Sequence, residues 1–192
     1  MKPAFADLAR SAATEIRMAV SGVEPAEVTG LVAELAQAKR ILCYGVGREG
    51  LMMRALAMRL YHLGLDAHVV GDMSAPPVGA GDLLLVSAGP GDFSTVTALI
   101  GVAQAAGART ACVTAQPQGR VPAACDRVLA IPAQTMADDQ PPAPTLTPVS
   151  VLPMGSLFEG AQFLIFEILI LLLRDRIGTT SGAMRARHTN LE

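Results

Sequence analysis

One glutamate and two histidines, Glu159, His62 and His188, are the side chains in this sequence best suited to catalytic chemistry. Glu159 lies near the start of a strongly apolar stretch, and a carboxylate in apolar surroundings gains basicity, which suits a proton-abstracting base. Imidazole titrates near neutral pH, so His62 at the end of a predicted helix and His188 in the C-terminal tail could move protons. Two of them have a structural alternative, because Glu159 could simply complement a helix dipole and His62 could cap a helix C terminus.

Two glycine-rich turns could hold the ligand on which these groups act. The first, residues 45–50 (Gly-Val-Gly-Arg-Glu-Gly), lies between an apolar run and a helical stretch, and the second, residues 88–91 (Ala-Gly-Pro-Gly), follows another apolar run. Glycine lets backbone N–H groups approach a ligand closely, and a helix N terminus adds partial positive charge. The sequence therefore predicts a ligand site at the C-terminal edge of a parallel sheet. The candidate binding residues are Gly45, Gly47, Arg48, Glu49, Ser87, Gly89, Gly91, Ser94 and Thr95.

Apolar strand-like runs and helical stretches alternate along the chain and must position these turns. Strands are predicted at residues 41–44, 67–70, 82–87, 109–114 and 127–131. Helices are predicted at residues 5–20, 25–39, 51–63, 94–106 and 155–176, with a short helix or turn at 121–125. This order indicates a doubly wound parallel sheet, preceded by two helices and followed by one. The proline-rich segment 132–154 is predicted to be a loop, and the polar tail 179–192 to lack a packing reason for order.

Composition limits the class of protein. A chain of 192 residues with 51% hydrophobic and 4% aromatic residues predicts one domain, residues 1–192, with an aliphatic core. The net charge of −2 gives no argument for nucleic acid or an anionic membrane as a partner. The three cysteines lack metal-ligand spacing and are interpreted as reduced thiols of a cytoplasmic protein. The apolar stretch 163–173 is too short to span a bilayer and is predicted to lie in the core or in a subunit interface.

Several motifs in one order resemble those of the 6-phospho-3-hexuloisomerases, which belong to the sugar isomerase (SIS) family. They are residues 45–52, 57–64, 67–72, Pro76-Pro77, 153–159 and 188–192, so the resemblance covers almost the whole chain. It implies a three-layer α/β sandwich with a five-stranded parallel sheet in flavodoxin-like order and extra N-terminal helices. It also implies reversible aldose–ketose isomerisation of a phosphorylated sugar without metal or organic cofactor, in a homotetramer or homodimer. In this family Glu159 corresponds to the proposed base, and tails like that of His188 reach a site at a subunit interface.

The sequence departs from this family where the phosphate is held. The family usually carries serine at the position of Glu49, and a Ser-Gly-Ser-Gly-Glu-Thr type of loop where this chain has residues 88–93. Ala88, Pro90 and Phe93 offer no side-chain donor. A carboxylate 4 Å from a phosphate charge would be repelled by roughly 4 kcal/mol at an effective dielectric of about 20. Glu49 could instead point to solvent in the first turn of a helix. The substrate could therefore be a sugar phosphate or a sugar without phosphate at this position.

Two other functions are open from the sequence. The altered turns favour a non-catalytic sugar-binding or sensing module on the same fold. Gly45, Gly47 and Gly50 also form a G-x-G-x-x-G pattern, and Asp72 follows the second predicted strand, which is typical of dinucleotide-binding enzymes. No later stretch supplies a recognisable domain for hydride transfer. The leading hypothesis is therefore an isomerase whose partners are a small sugar or sugar phosphate and other copies of the chain.

Overall fold

Five parallel strands form one sheet with the order β2-β1-β3-β4-β5. The computed structural model describes residues 4–140 and 150–191. The strands are β1 (Ile41–Tyr44), β2 (Ala67–Val69), β3 (Leu83–Ser87), β4 (Arg109–Thr114) and β5 (Arg127–Ala130). The helices are α1 (Phe5–Ser21), α2 (Pro25–Gln37), α3 (Gly47–Leu63), α4 (Ser94–Ala105), α5 (Arg120–Ala123), α6 (Ser156–Ile177) and α7 (Ser181–Ala186). The predicted architecture, a parallel sheet in flavodoxin-like order between helical layers, is confirmed.

Each face of the sheet packs against its own set of helices. Successive residues of a strand point to opposite faces. In β1, Ile41 and Cys43 join the larger core with α1, α2, α3 and α6, whereas Leu42 joins the smaller core with α4. The sheet is therefore buried on both sides, which explains why its strands read as continuous apolar runs in the sequence.

Two helices, α3 and α7, differ from the prediction. Helix α3 begins at Gly47, four residues before its predicted start, so Arg48 and Glu49 lie in its first turn. The predicted irregular tail contains α7, and this part of the prediction is wrong. The Thr180 hydroxyl accepts a hydrogen bond from the Ala183 N–H at 3.1 Å and caps this helix. The described parts of the predicted loop, residues 132–140 and 150–154, contain neither helix nor strand, while residues 141–149, including Pro141, Pro142 and Pro144, lie outside the described residues.

Helix α6 is apolar on both its buried and its exposed sides. By length and composition alone it could cross a membrane, a test that the mostly buried core helix of a soluble protein also passes. One side lies in the larger core, where Phe158 and Leu169 are fully buried. The other side carries five apolar residues that are 37–52% exposed, so the predicted burial of this helix holds for only one side within a single chain. These five residues are Phe163, Leu164, Ile168, Leu171 and Leu172.

Two glycines allow α3 to start directly against the end of β1. A Cβ atom at Gly50 would lie 2.5 Å from the Gly45 carbonyl oxygen, and one at Gly45 would lie 2.9 Å from the Gly50 nitrogen. Gly47 between them has a φ of 57°, in the left-handed region that favours glycine. These glycines are therefore required by the path of the backbone, whatever ligand the turn binds.

We expect Gly50→Ala to lower the free energy of unfolding by about 1–3 kcal/mol, because the new methyl group meets backbone rather than a movable side chain. Urea denaturation measures the change. Gly101→Ala is the matched control: it lies in α4 with no atom within 4 Å of the added Cβ. Alanine there should stabilise the helix by roughly 0.5–1 kcal/mol. Equal denaturation midpoints for the two variants would show that the β1–α3 turn tolerates a side chain.

Candidate active site

Glu49 joins the two glycine-rich turns from inside the protein. Its Oε2 atom accepts hydrogen bonds from the Ser87 hydroxyl at 2.5 Å and from the Gly89 backbone N–H at 2.9 Å. The residue is only 8% exposed, because the first turn of α3 directs its side chain to the end of β3. The alternative in which Glu49 points to solvent is therefore wrong.

Ser87 lies behind this carboxylate and not at the surface of the site. The residue is fully buried, and its hydroxyl accepts a hydrogen bond from Gln162 Nε2 at 2.8 Å while donating its own proton to Glu49. The Ser87 hydroxyl thus serves Glu49, which corrects its predicted role as a direct ligand contact. Sequence reasoning missed Gln162, although an amide one turn after Glu159 in an apolar helix was a visible signal.

Glu159 lies at the start of α6 and pairs with Arg48 at the start of α3. The Arg48 guanidinium donates to Glu159 Oε2. The Glu159 side chain is 12% exposed and that of Arg48 is 68% exposed, so the carboxylate is sheltered while the cation reaches solvent. A second pair, Arg59 with Glu167 at 3.1 Å, joins the same helices farther along, so α3 and α6 run side by side in one direction. Both helices start at the C-terminal edge of the sheet, which places a carboxylate and a guanidinium together where ligands bind in such folds.

The second turn also requires glycine where its backbone lies close to other atoms. A Cβ atom at Gly89 would lie 2.9 Å from Glu49 Oε1, so glycine leaves room for the carboxylate. Gly91 has a φ of 84° and packs on Gly119. Ser94 and Thr95 are exposed at the first turn of α4, where their hydroxyls and the helix N terminus face solvent. They are the predicted binding residues of this turn whose side chains remain accessible.

The two histidines lie together at the other end of α3. Their ring centroids are 5.3 Å apart, with the planes at 31°. They line a cavity of about 680 Å³ together with Arg59 and Arg185. His62 is 6% exposed. Burial lowers the pKa of His62, and the neighbouring His188 and Arg59 lower it further. The Arg187 guanidinium donates to the His62 carbonyl at 3.3 Å and fastens the tail beside this pair.

The glutamate and the histidines form two separate groups within one chain. Arg48, which holds Glu159, and His62 are fourteen residues apart on α3. At a rise of 1.5 Å per residue this separation is about 21 Å. A proton cannot be exchanged directly over that distance, because a general acid or base must be within hydrogen-bond reach of its target. A single chain therefore does not assemble Glu159, His62 and His188 into one centre.

Asp72 and the cysteines, which could indicate dinucleotide or metal binding, show no such arrangement within the described residues. The Asp72 carboxylate, proposed to meet a ribose, forms an ion pair with Arg54 of α3 at 3.0 Å. Cys43, Cys112 and Cys125 are free thiols, and burial raises the pKa of Cys43 to about 12. Within residues 4–140 and 150–191, no three His, Cys, Asp or Glu side chains lie close enough to hold a metal ion.

The surroundings of Glu49 disfavour the charged form of its side chain. Burial raises its pKa, the hydrogen bonds from Ser87 and Gly89 oppose this in part, and the negative charge of Glu159 raises it further. The last effect shows that the two carboxylates are electrostatic neighbours. Arg48 supplies a compensating positive charge to Glu159 at the mouth of the site.

Comparison with known proteins defines the family. The SIS domain model matches residues 34–152, and the chain belongs to this family. The sequence is 36% identical to the 3-hexulose-6-phosphate isomerase of Mycobacterium gastri, over 93% of this chain and 86% of that protein. It is 29% identical to the protein of the same name from Bacillus subtilis, over 93% of this chain and 94% of that one.

A solved structure supports the fold. It is a hypothetical protein of Methanococcus jannaschii whose crystal structure infers a molecular function of 3-hexulose-6-phosphate isomerase. It superimposes with a TM-score of 0.80 at 23% identity, covering 96% of this chain and 98% of that one. The family resemblance predicted from the motifs is confirmed by the SIS match and by the Mycobacterium gastri relative, which covers 93% of this chain.

The raised pKa of Glu49 predicts a specific pH dependence of stability. The folded protein retains a proton on Glu49 at pH values where the unfolded chain has lost it, so unfolding releases a proton. This residue's contribution to the free energy of unfolding should fall as the pH rises from about 4.3, the ordinary glutamate pKa, through the higher folded value. Urea titrations of the parent and Glu49→Gln across pH 4–8 would measure it, because the glutamine cannot ionise.

We expect the stability of the parent relative to Glu49→Gln to decrease with rising pH. Glu24→Gln, which changes an exposed glutamate before α2, controls for the general loss of one carboxylate. A difference between parent and Glu49→Gln that stays constant over this range would mean that burial does not hold a proton on Glu49.

Proposed function

We propose that the protein is an isomerase of the 3-hexulose-6-phosphate isomerase type, which moves a carbonyl group between neighbouring carbons (aldose–ketose or ketose–ketose) of a sugar or sugar phosphate. The observation that carries this proposal is the sheltered Glu159 carboxylate, held by Arg48 at the C-terminal edge of the sheet. The relatives bearing that enzyme name, at 36% and 29% identity over 93% of this chain, support it. We also propose that the protein works in the cytoplasm.

The chemistry fits a carboxylate base beside a guanidinium. Isomerisation through an enediol moves a proton between two neighbouring carbons, one of which carries the carbonyl group. Glu159 takes the proton from the hydroxyl-bearing carbon and returns it to the carbonyl carbon, and a second group carries the hydroxyl proton to the former carbonyl oxygen. Arg48 orients this carboxylate and, with its exposed guanidinium, stabilises negative charge that develops on the enediol oxygens. The reaction requires neither a metal nor an organic cofactor.

The histidines take part only if a second copy of the chain supplies them. His62 and His188 face a cavity about 21 Å along α3 from the Glu159 end, too far to serve the same sugar within one chain. The exposed apolar side of α6 supports association of copies, because monomeric proteins rarely expose such a continuous apolar surface. We propose a homodimer or homotetramer in which one copy's histidines open the ring or shuttle protons beside its neighbour's Glu159.

A non-catalytic sugar sensor is the second candidate. The observation that favours it is the second turn, whose inner donors are already bound by Glu49. A panel of phosphorylated and unphosphorylated ketoses separates the two functions. Turnover of any member identifies an enzyme, whereas saturable binding without turnover identifies a sensor.

We expect Glu159→Gln to reduce the isomerisation rate by roughly 10²-fold or more while the protein stays folded, because the amide keeps the size of the side chain but cannot accept the proton as a base. Coupled assays give the rate, and circular dichroism verifies the fold. Glu24→Gln, at an exposed site before α2, should keep parental activity. A Glu159→Gln protein that turns over substrate like the parent would make Glu159 a structural residue.

Mixing two inactive variants tests the composite site. Glu159→Gln and His62→Gln, co-expressed with different tags and purified as mixed oligomers, should regain activity, because the mixed assembly contains sites with one intact Glu159 and one intact histidine pair. In a purified mixed dimer one of the two sites is intact, so the recovery should be about half of the parental rate. Each variant alone, shown by sedimentation to have the parental assembly state, is the control. Mixed oligomers that stay inactive would place both residues in one chain's site or exclude one from the reaction.

A further inference from the structure

Two hydrogen-bond donors at the second turn, the Ser87 hydroxyl and the Gly89 N–H, already bind a group of the protein itself. At the end of β3, the Ser87 hydroxyl and the Gly89 N–H point to one place, as donors do when they hold an anion. That place holds the Glu49 carboxylate, with contacts of 2.5 and 2.9 Å. These are the lengths and the donor types with which a protein binds a phosphate oxygen.

The surroundings of this carboxylate are built to keep it there. Gly89 leaves the space that a Cβ atom would take, since that atom would lie 2.9 Å from Glu49 Oε1 and 3.0 Å from the Phe158 ring. Gln162 donates to Ser87 at 2.8 Å, so the serine proton is directed to Glu49. Ser87 and Gln162 are both fully buried. The carboxylate is therefore fixed by packing on one side and by an ordered chain of donors on the other.

We infer that Glu49 is a specificity-determining residue that fills the anion position of these turns, so that the part of the sugar they receive is uncharged and bears hydroxyl groups. This inference rests on the proposed function for the identity of the ligand as a sugar. A phosphate at this position would meet a carboxylate that already occupies the donors, with the charge of Glu159 close by. A hydroxyl group instead can donate to Glu49 or Glu159 and accept from Arg48.

The inference predicts that removing Glu49 creates a phosphate site. Glu49→Ser and Glu49→Ala free the Ser87 hydroxyl and the Gly89 N–H and open the volume of the carboxylate. Isothermal titration calorimetry with inorganic phosphate at low salt should show an affinity at least tenfold higher in both variants than in the parent. The gain should shrink as sodium chloride is added, because the attraction is electrostatic. Glu24→Ser, which removes the same charge from an exposed site, should show no gain.

A second substitution locates the new site. In the Glu49→Ser background, Ser87→Ala removes one of the freed donors and should abolish most of the gain, whereas a gain that persists would put the phosphate elsewhere and overturn the inference. Equal phosphate affinity in the parent and both folded variants would also overturn it. If serine and alanine at position 49 prevent folding, Glu49→Gln tests occupancy instead: its amide oxygen still accepts from Ser87 and Gly89, so its phosphate affinity should stay at the parental level, and a tenfold gain would overturn the inference.

The substrate panel provides the remaining arm. Two sugars that differ only in the group placed at the turns should be bound in opposite order by the two proteins. The parent should bind the hydroxyl-bearing sugar more tightly, and Glu49→Ser should bind the phosphate-bearing sugar more tightly. A parent that prefers the phosphorylated member, with the preference lost in Glu49→Ser, would overturn the inference. Phosphate binding is measured without turnover, so absence of any isomerase activity refutes the proposed function and leaves this test of Glu49 intact.

Discussion

The hydrogen bonds that Ser87 and Gly89 donate to the Glu49 carboxylate are the contacts on which the arrangement of the site depends. They attach the first turn of α3 to the end of β3, and Gln162 attaches the same serine to α6. Burying a carboxylate is costly unless it is well hydrogen-bonded. The Ser87 hydroxyl and the Gly89 N–H meet that requirement.

The ion pair of the site follows from this anchor. Arg48 precedes Glu49 on α3, and Glu159 lies three residues before Gln162 on α6. Once Glu49 and Gln162 converge on Ser87, the ends of the two helices are held together and the guanidinium meets the carboxylate. One buried polar cluster thus determines where the Arg48–Glu159 pair lies. The Gln162 Oε1 atom, buried without a partner among the described residues, costs about 1–3 kcal/mol, which the cluster must offset.

Much of the fold could be predicted from local pattern, because buried strands and helices of a doubly wound sheet differ in length and are separated by glycine or proline. The direction of Glu49 could not, because a glutamate in the first turn of a helix is equally compatible with solvent. Its burial depends on donors 38 and 40 residues further along the chain. Helix α7 was missed for a similar reason: a six-residue helix has little stability alone and depends on contacts such as that between Arg187 and the His62 carbonyl. The distance between His62 and Glu159 could not be predicted from the motifs alone, because it depends on where α3 begins and ends.

Helix α3 carries Arg48 at one end and His62 at the other, each paired with a residue from another part of the chain, and this limits how the gene can change in length. Each residue of a helix advances the chain by 1.5 Å and turns it by about 100°. A single codon gained or lost between Arg48 and His62 would swing the imidazole to another side of the helix and detach it from His188. Length variation among descendants of this gene should therefore be selected against within α3.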